Sequence, residues 1–344
     1  MNSKERVLYS LNFKKPDRVP RYIWFGLETR KILAKRFRIE PFEIDFRFRN
    51  DILQDWVSIN GGMERDIPEN SKFIDEWGIT WERKDKYNNV KVHPLKGKDI
   101  RYVMKYKFPN PKKPERFKKL EYLLKNFGNE YFVGSDVSSV LFDPACHLRG
   151  MENLLIDMAE ENKILDILLD KLKEFCITVS KESIDRGVDW IWMGDDLGSQ
   201  GGMLVSPDMW RKHIKPRMKE VIDILRDYKK DVIIAYHSCG SIYPIIEDLV
   251  DVGINVLNPI QESAKDMNQL EIKKEFGDKV TLMCGLDTQS FLLNATKEEV
   301  GEMVYKKVNE LGYNGGFIFA ASHAIQPDIP LENILAMFNA LDRL

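Results

Sequence analysis

The side chains with the most chemistry to offer sit in short runs that end apolar stretches. His237-Ser238-Cys239-Gly240 closes the run 231–237 (DVIIAYH), where an imidazole and a thiol two residues apart can serve one centre. Zinc takes nitrogen and sulfur donors in a tetrahedron, so both are suitable ligands. Two ligands make no site, and the reading gains weight from later arrivals. His323 follows 315–321 (GGFIFAA) and reads as a third ligand, or as a hydrogen-bond donor or general acid without metal. Cys284 reads as packing or as a fourth ligand. Asp195 and Asp196 end 188–196 (VDWIWMGDD). A carboxylate is costly to bury unpaired, so each should meet a metal, a cation or a substrate proton, or cap a neighbouring turn. We expect these two to be catalytic. Trp192 and Tyr236 read as core or as walls of a substrate cage. Gln200, Asn258 and Asp287 complete the set expected to touch substrate. Cys146 and Cys176 read as structural, and His93 and His213 lie away from this group.

The elements that must carry these residues alternate. Apolar, β-branched runs at 188–196, 231–237, 255–259, 280–285 and 315–321 are separated by stretches of helical periodicity. Ser206-Pro207 marks a helix start, and Thr296-Lys297-Glu298-Glu299 is a capping box. Repeated βαβ units imply a parallel sheet, and five in a row favour a (β/α)8 TIM-type barrel. In such a barrel the site lies where strands end. Two of five histidines and two of four cysteines occupy that one rim. No GxGxxG follows a first strand, which lowers a dinucleotide-binding alternative. Earlier in the chain, 19–26 (VPRYIWFG) and 131–138 (YFVGSDVS) read as further strands. Between them an insertion of about 40–125 contains antiparallel strands at 73–83 and 89–94, with Tyr87-Asn88-Asn89 as a turn. The basic, proline-rich 108–119 reads as a solvated connection, and 156–184 as one long helical region. Seven barrel strands are assigned; the eighth is expected in irregular form near 140–146. The whole chain, 1–344, is expected to be one barrel domain with a helical and antiparallel-strand insertion.

Composition narrows the function classes. The 344 residues include 52 basic and 54 acidic side chains, a formal net charge of −2, and 43% hydrophobic residues. That balance gives no general attraction to nucleic acid or to an anionic membrane. No window approaches ~20 consecutive apolar residues. The first residues lack an apolar stretch of signal-peptide length, and four cysteines without a CxxC pair are no disulfide framework. A reducing cytoplasm is the expected setting, and a homodimer is allowed for.

Several stretches resemble the uroporphyrinogen decarboxylase superfamily, and more closely its corrinoid-dependent methyltransferase branch. They are Arg18-Val19-Pro20, Asp75-Glu76-Trp77-Gly78, Asp195 through Gln200, Ser206-Pro207, His237 through Gly240, Leu257-Asn258-Pro259, Gly285 through Gln289, and Gly315 through Pro330. The resemblance implies a single (β/α)8 barrel. It also implies a zinc ion bound by a His-x-Cys pair and a later cysteine. His237 and Cys239 fit the pair, and His323 stands at the late cysteine position, a departure that keeps a zinc-compatible His2Cys set. Decarboxylases of the family carry an arginine-rich segment after the first strand to hold tetrapyrrole carboxylates. Here that place reads Trp24 through Arg30, with Arg30 as its one arginine and Glu28 beside it.

The expected function is therefore zinc-dependent transfer of a methyl group between a small methylated substrate and a corrinoid on a separate protein. A metal-free decarboxylase and a non-catalytic partner of the corrinoid protein are the alternatives. The rim thiol speaks against the last, since a shield for a cofactor needs none.

Overall fold

The computed structural model describes residues 1–58, 65–85, 87–137 and 139–344. Strand β1 (Ile52–Trp56) is followed by β2 (Lys72–Ile74), β3 (Thr80–Lys84) and β4 (Tyr87–Val92). Then come β5 (Phe132–Asp136), β6 (Trp190–Gly194), and the two-residue β7 (Gly198–Ser199) and β8 (Gly202–Met203). The last four are β9 (Ile233–His237), β10 (Val256–Asn258), β11 (Thr281–Leu286) and β12 (Phe317–Ala321). β1, β5, β6, β9, β10, β11 and β12 pair in that order as one parallel sheet, with helices between successive strands. This is the expected (β/α)8 TIM-type architecture.

The segment 19–26 closes the curl, as a seam more than a ladder. On one side Tyr22 donates to Phe319 O at 3.0 Å and Phe319 donates to Pro20 O at 2.8 Å. On the other side a backbone bond from Asp51 to Arg21 O is joined by side chains. The Asn50 amide bonds both the N–H and the C=O of Ile23, each at 2.9 Å, and Asp51 accepts the Arg21 N–H. Pro20 has no N–H to give, which is one reason the ladder here is sparse.

The strand not placed from sequence is β1, inside the stretch 40–125 read as an insertion. The expectation of an irregular strand near 140–146 is corrected: helix Phe142–Arg149 occupies most of it. The expected strand 73–83 is two strands. Asp75 reverses the chain between them by accepting from the N–H groups of Trp77 and Ile79, each at 2.9 Å, and from the Trp81 indole. Tyr87-Asn88-Asn89 is strand, not turn, and β2, β3 and β4 form an antiparallel sheet. The long helical region is two helices, Met151–Ala159 and Lys163–Asp185. They break where Glu161 takes a left-handed φ of 54° and Asn162 caps the second helix. Ser138, the end of another expected strand, lies outside the described residues.

Alternation along the strands divides the core in two. Ile52, Phe132, Trp190, Trp192, Ala235, Val256, Met283 and Ile318 fill the barrel interior, while a larger cluster packs the outer strand faces against the helices. Trp190 donates its indole N–H to Gln54 at 2.8 Å beneath the mouth. Among the described residues, no helix is long and apolar enough to cross a membrane.

Candidate active site at the barrel mouth

The site begins where β6, β9 and β10 run in register. Gly194 lies opposite His237, and His237 opposite Asn258. A Cβ on Gly194 would stand 2.7 Å from His237 O and 2.9 Å from its Cβ, so only glycine leaves His237 this position. Its ring orientation is then decided by a neighbour. Asn258 donates its amide to Met283 O at 2.9 Å, which makes its Oδ1 the acceptor facing His237 Nδ1 at 2.7 Å. The proton therefore sits on Nδ1, and Nε2 presents a lone pair. That lone pair faces Cys239 Sγ at 3.4 Å.

The loop after β9 is pinned from three sides. Leu197 donates to Ser238 Oγ at 3.0 Å, Gly240 to Gln261 Oε1 at 2.7 Å, and Ser241 to Ser199 O at 2.9 Å. Gly240 has φ 78°, and a Cβ there would meet the Gly198 backbone at 2.3 Å. Cys239 is thus fixed by backbone geometry.

Asp196 completes a close group. Its Oδ1 accepts the Cys239 N–H at 2.9 Å and lies 3.6 Å from His237 Nε2. Among the described residues, Asp196, His237 and Cys239 place their ligand atoms within 4.8 Å of one another. Zinc bonds of about 2.3 Å to sulfur and 2.0 Å to nitrogen at a tetrahedral angle put the two donors about 3.5 Å apart. The separation of Cys239 and His237 fits that span. Burial and the Asp196 charge push the Cys239 thiol well above its usual range, so without a cation it stays protonated. A thiol so placed is a poor free nucleophile, and it would give up its proton on binding a metal ion.

His323, expected as the third ligand, stands beside this close group. Its ring centroid is 6.4 Å from that of His237 and 5.6 Å from Trp24. Asp196 takes the near position.

The two aspartates of 195–196 part company. Asp195 accepts from Leu141 at 3.2 Å and Asp143 at 3.0 Å, which caps helix Phe142–Arg149. Burial raises its carboxyl while these N–H groups pull it back. Asp143 accepts the Asp196 N–H at 2.9 Å. Burial and the charges of Asp196 and Asp195 push Asp143 well above the usual carboxylate range. The chain of bonds runs from Asp195 to Asp143, on to Asp196 and then to Cys239. Asp143 escaped the sequence reading because 140–146 was read there as an irregular strand, whereas it stands in the first turn of helix Phe142–Arg149. The Asp-Pro pair at 143–144, a helix-start signal, was its trace.

Two cavities meet at this group. The inner one, about 220 Å³, is walled by Tyr22, Trp24, Trp56, Tyr87 and Trp192 and by Gln54, Asp136, Asp143, Asp196, His237 and Asn258. The outer one, about 600 Å³, is lined by Ser199, Gln200, Cys239, Thr288, Gln289 and Asp328. His323 and Gln326 border both. Among the described residues, neither lining contains a lysine or an arginine. Arg30 is engaged elsewhere, in a two-pronged pair with Asp45 at 2.8 and 3.1 Å.

Of the residues expected to touch substrate, Trp192, Gln200 and Asn258 line these cavities. Tyr236 and Asp287 do not. Tyr236 neighbours inward-facing His237 on a strand, so it points outward into the core against the helices. Asp287 spends one oxygen on the N–H groups of Ser290 and Phe291, as a turn residue. Cys284 is buried on the outer face of β11, away from the close group. The aromatic walls Tyr22, Trp24 and Trp56 were not singled out from sequence. Tyr22 and Trp24 are two residues apart in an extended segment, which puts them on one face.

Comparison with known proteins bears on this geometry. The family model for uroporphyrinogen decarboxylase (URO-D) matches residues 78–344. A uroporphyrinogen decarboxylase of Rickettsia felis is 30% identical over 179 residues, covering 51% of this chain and 47% of that protein. One from Legionella pneumophila is 26% identical over 199 residues, covering 57% and 53%. The chain thus spans about half the length of the curated relatives it matches. Among solved structures, a methyltransferase from Methanosarcina mazei superposes with a TM-score of 0.76 at 17% identity, covering 100% of this chain and 99% of that one. At that identity the likeness is one of fold.

Proposed function

We propose that this chain, which belongs to the uroporphyrinogen decarboxylase family, is a methyltransferase acting between a small methylated substrate and a corrinoid carried by a separate protein. The observation that carries the reading is the His237 ring. Asn258 aims its Nε2 lone pair at the Cys239 sulfur, at the junction of two cavities without basic side chains among the described residues. His237, Cys239 and Asp196 would hold a zinc ion, with His323 as the competing third ligand. When bound, zinc supplies Lewis acidity toward a substrate heteroatom or lowers the pKa of an acceptor thiol.

The chain's own residues do the rest. Asn258 keeps the His237 proton on Nδ1, and Asp143 and Asp195 hold Asp196 against the loop after β9. Trp192 and the other rings keep water from the inner cavity. That cavity is below the roughly 300–1,000 Å³ typical of drug-sized ligands, so it suits a small substrate. A corrinoid would sit over the mouth, brought by its own protein.

The names of the curated relatives favour a second reading, decarboxylation of a carboxylated tetrapyrrole, with Asp196 and His323 in polar roles. Holding several carboxylates needs several cations, and the described linings offer none. The size of the inner cavity argues the same way.

Metal analysis of protein purified without chelator is the test, and we expect about one zinc per chain. Cys239→Ala should lose it without unfolding. If Asp196 is the third ligand, Asp196→Asn weakens zinc binding far more than His323→Ala; the reverse ranking assigns the role to His323. Metal-free protein with full methyl-transfer activity would overturn the zinc assignment. Turnover of uroporphyrinogen at on the order of 1 per second would overturn methyl transfer itself.

A further inference from the structure

The walls of the inner cavity carry more information than its size. Trp24 and Trp56 meet at 5.3 Å between ring centroids with planes 74° apart, and Tyr22 and Trp192 at 6.4 Å with planes 69° apart. Two aromatic corners thus line one small chamber. The polar groups between them are carboxylates, amides, imidazoles and the Ser139 hydroxyl. Asp136 and Asp143 belong to this lining, and Gln54 bonds Asp136 at 2.9 Å. The face of an aromatic ring is negative, so a cation that reaches a free face of one of these rings is attracted to it. The Asp136 carboxylate acts in the same sense, and Asp143, pushed well above the usual range, does so once it loses its proton.

We infer that the inner chamber receives a methylated onium cation, a quaternary ammonium or a sulfonium. This rests on the methyl-transfer reading for the fate of the methyl group, while binding of the cation stands on the chamber alone. The leaving group supports the choice. When an onium gives up its methyl, the bond from carbon to nitrogen or sulfur breaks and the electron pair stays on the heteroatom. A neutral amine or thioether departs, and the lone pair of the accepting nucleophile, a thiolate or the cobalt of a corrinoid, forms the new bond to carbon. No anion is left between rings and carboxylates. A neutral methyl ether would leave an alkoxide there, which would need a zinc ion or a proton to stabilise it, whereas an onium leaves no anion and needs neither. A carboxylated substrate meets repulsion from those walls on entry.

The wild-type protein can be tested without reference to turnover. Calorimetric titration with tetramethylammonium, trimethylsulfonium and choline is compared with the uncharged tert-butyl isostere of choline. We expect the cations to bind at least tenfold more tightly than the isostere, and the ranking of the first two to separate ammonium from sulfonium. Trp24→Leu and Trp56→Leu should each weaken cation binding by about three- to thirtyfold. Equal affinity for choline and its isostere would overturn the inference, as would binding of anisole without any binding of cations. Cation binding without methyl transfer to any corrinoid would overturn the functional reading and leave this one standing. Methyl transfer from a neutral ether without cation binding would do the opposite.

Discussion

The two ends of the barrel handle buried charge in opposite ways. At the end where strands begin, Asp51 is fully buried and receives Arg6 at 2.7 Å, both prongs of Arg18 at 2.8 Å, and the Ser3 hydroxyl at 2.8 Å. Arg6 is shared with Asp17 and Arg21 with Asp342, while Lys4 holds Asp189 at 2.7 Å. At the end where strands finish, Asp143, Asp195 and Asp196 lie against one another. Their partners are backbone N–H groups, and the described cavity linings bring no lysine or arginine. The first arrangement is complete in itself and ties the N-terminal helix to the sheet. The second is complete only with something positive added. In a barrel of this kind the beginning of the strands serves stability and the end serves chemistry, and here charge pairing draws the line between them.

The comparison can be broken most sharply at Asp51. Asp51→Asn strands two arginines in a buried network and should cost about 3–5 kcal/mol, read by chemical denaturation. Asp143→Asn at the other end should be neutral or slightly stabilising. Asparagine still accepts the Asp196 N–H, and one of three crowded carboxylates is gone. Equal losses at the two positions would erase the distinction.

His147 is a smaller test. It packs edge-on to Trp81 with its Nδ1 buried, and burial together with neighbouring His93 lowers its pKa to about 4 from the usual 6.5. The unfolded chain takes up this proton near pH 6.5 and the folded chain only near pH 4. Stability is therefore full above the first value and falls as the pH drops toward the second, by at most about 3 kcal/mol. His147→Gln should flatten that part of the pH profile. An unchanged profile would mean that the imidazole is not held neutral.

The smallest effect is expected at Asn258. Asn258→Ala should weaken zinc binding by about 10–100-fold, because the His237 proton is no longer kept on Nδ1. Folding stability should drop far less than in Asp51→Asn. Zinc affinity equal to wild type would show that Asn258 does not set the ring.

Much of this was legible in sequence where strands are apolar and end in polar residues. β6, β9, β11 and β12 read cleanly, and His237, Cys239 and Asp196 followed from their ends. β1 was hidden because Gln54 faces the barrel interior, bonding Trp190 and Asp136, and a polar inward residue breaks the alternation. Tyr236 was left between core and cage wall although alternation decides for the core: if His237 points in, its neighbour points out. Asp143 and the separate duties of Asp195 and Asp196 depend on a loop from β5 crossing to β6, which no local pattern records. The approach of Asp196 to His237 and Cys239 is likewise a matter of contact between loops distant in sequence.

The seam that closes the barrel has a dynamic consequence. A ladder of backbone bonds opens cooperatively, but 19–26 is held toward β1 largely by the side chains of Asn50 and Asp51. The Arg21 and Ile23 amides, which donate to side chains, are therefore expected to exchange with solvent hydrogen ahead of those in β9 to β12. Tyr22 and Trp24 ride on that segment. The wall of the inner chamber is thus tied to β12 and the residues after it by backbone bonds, but to β1 largely by side chains.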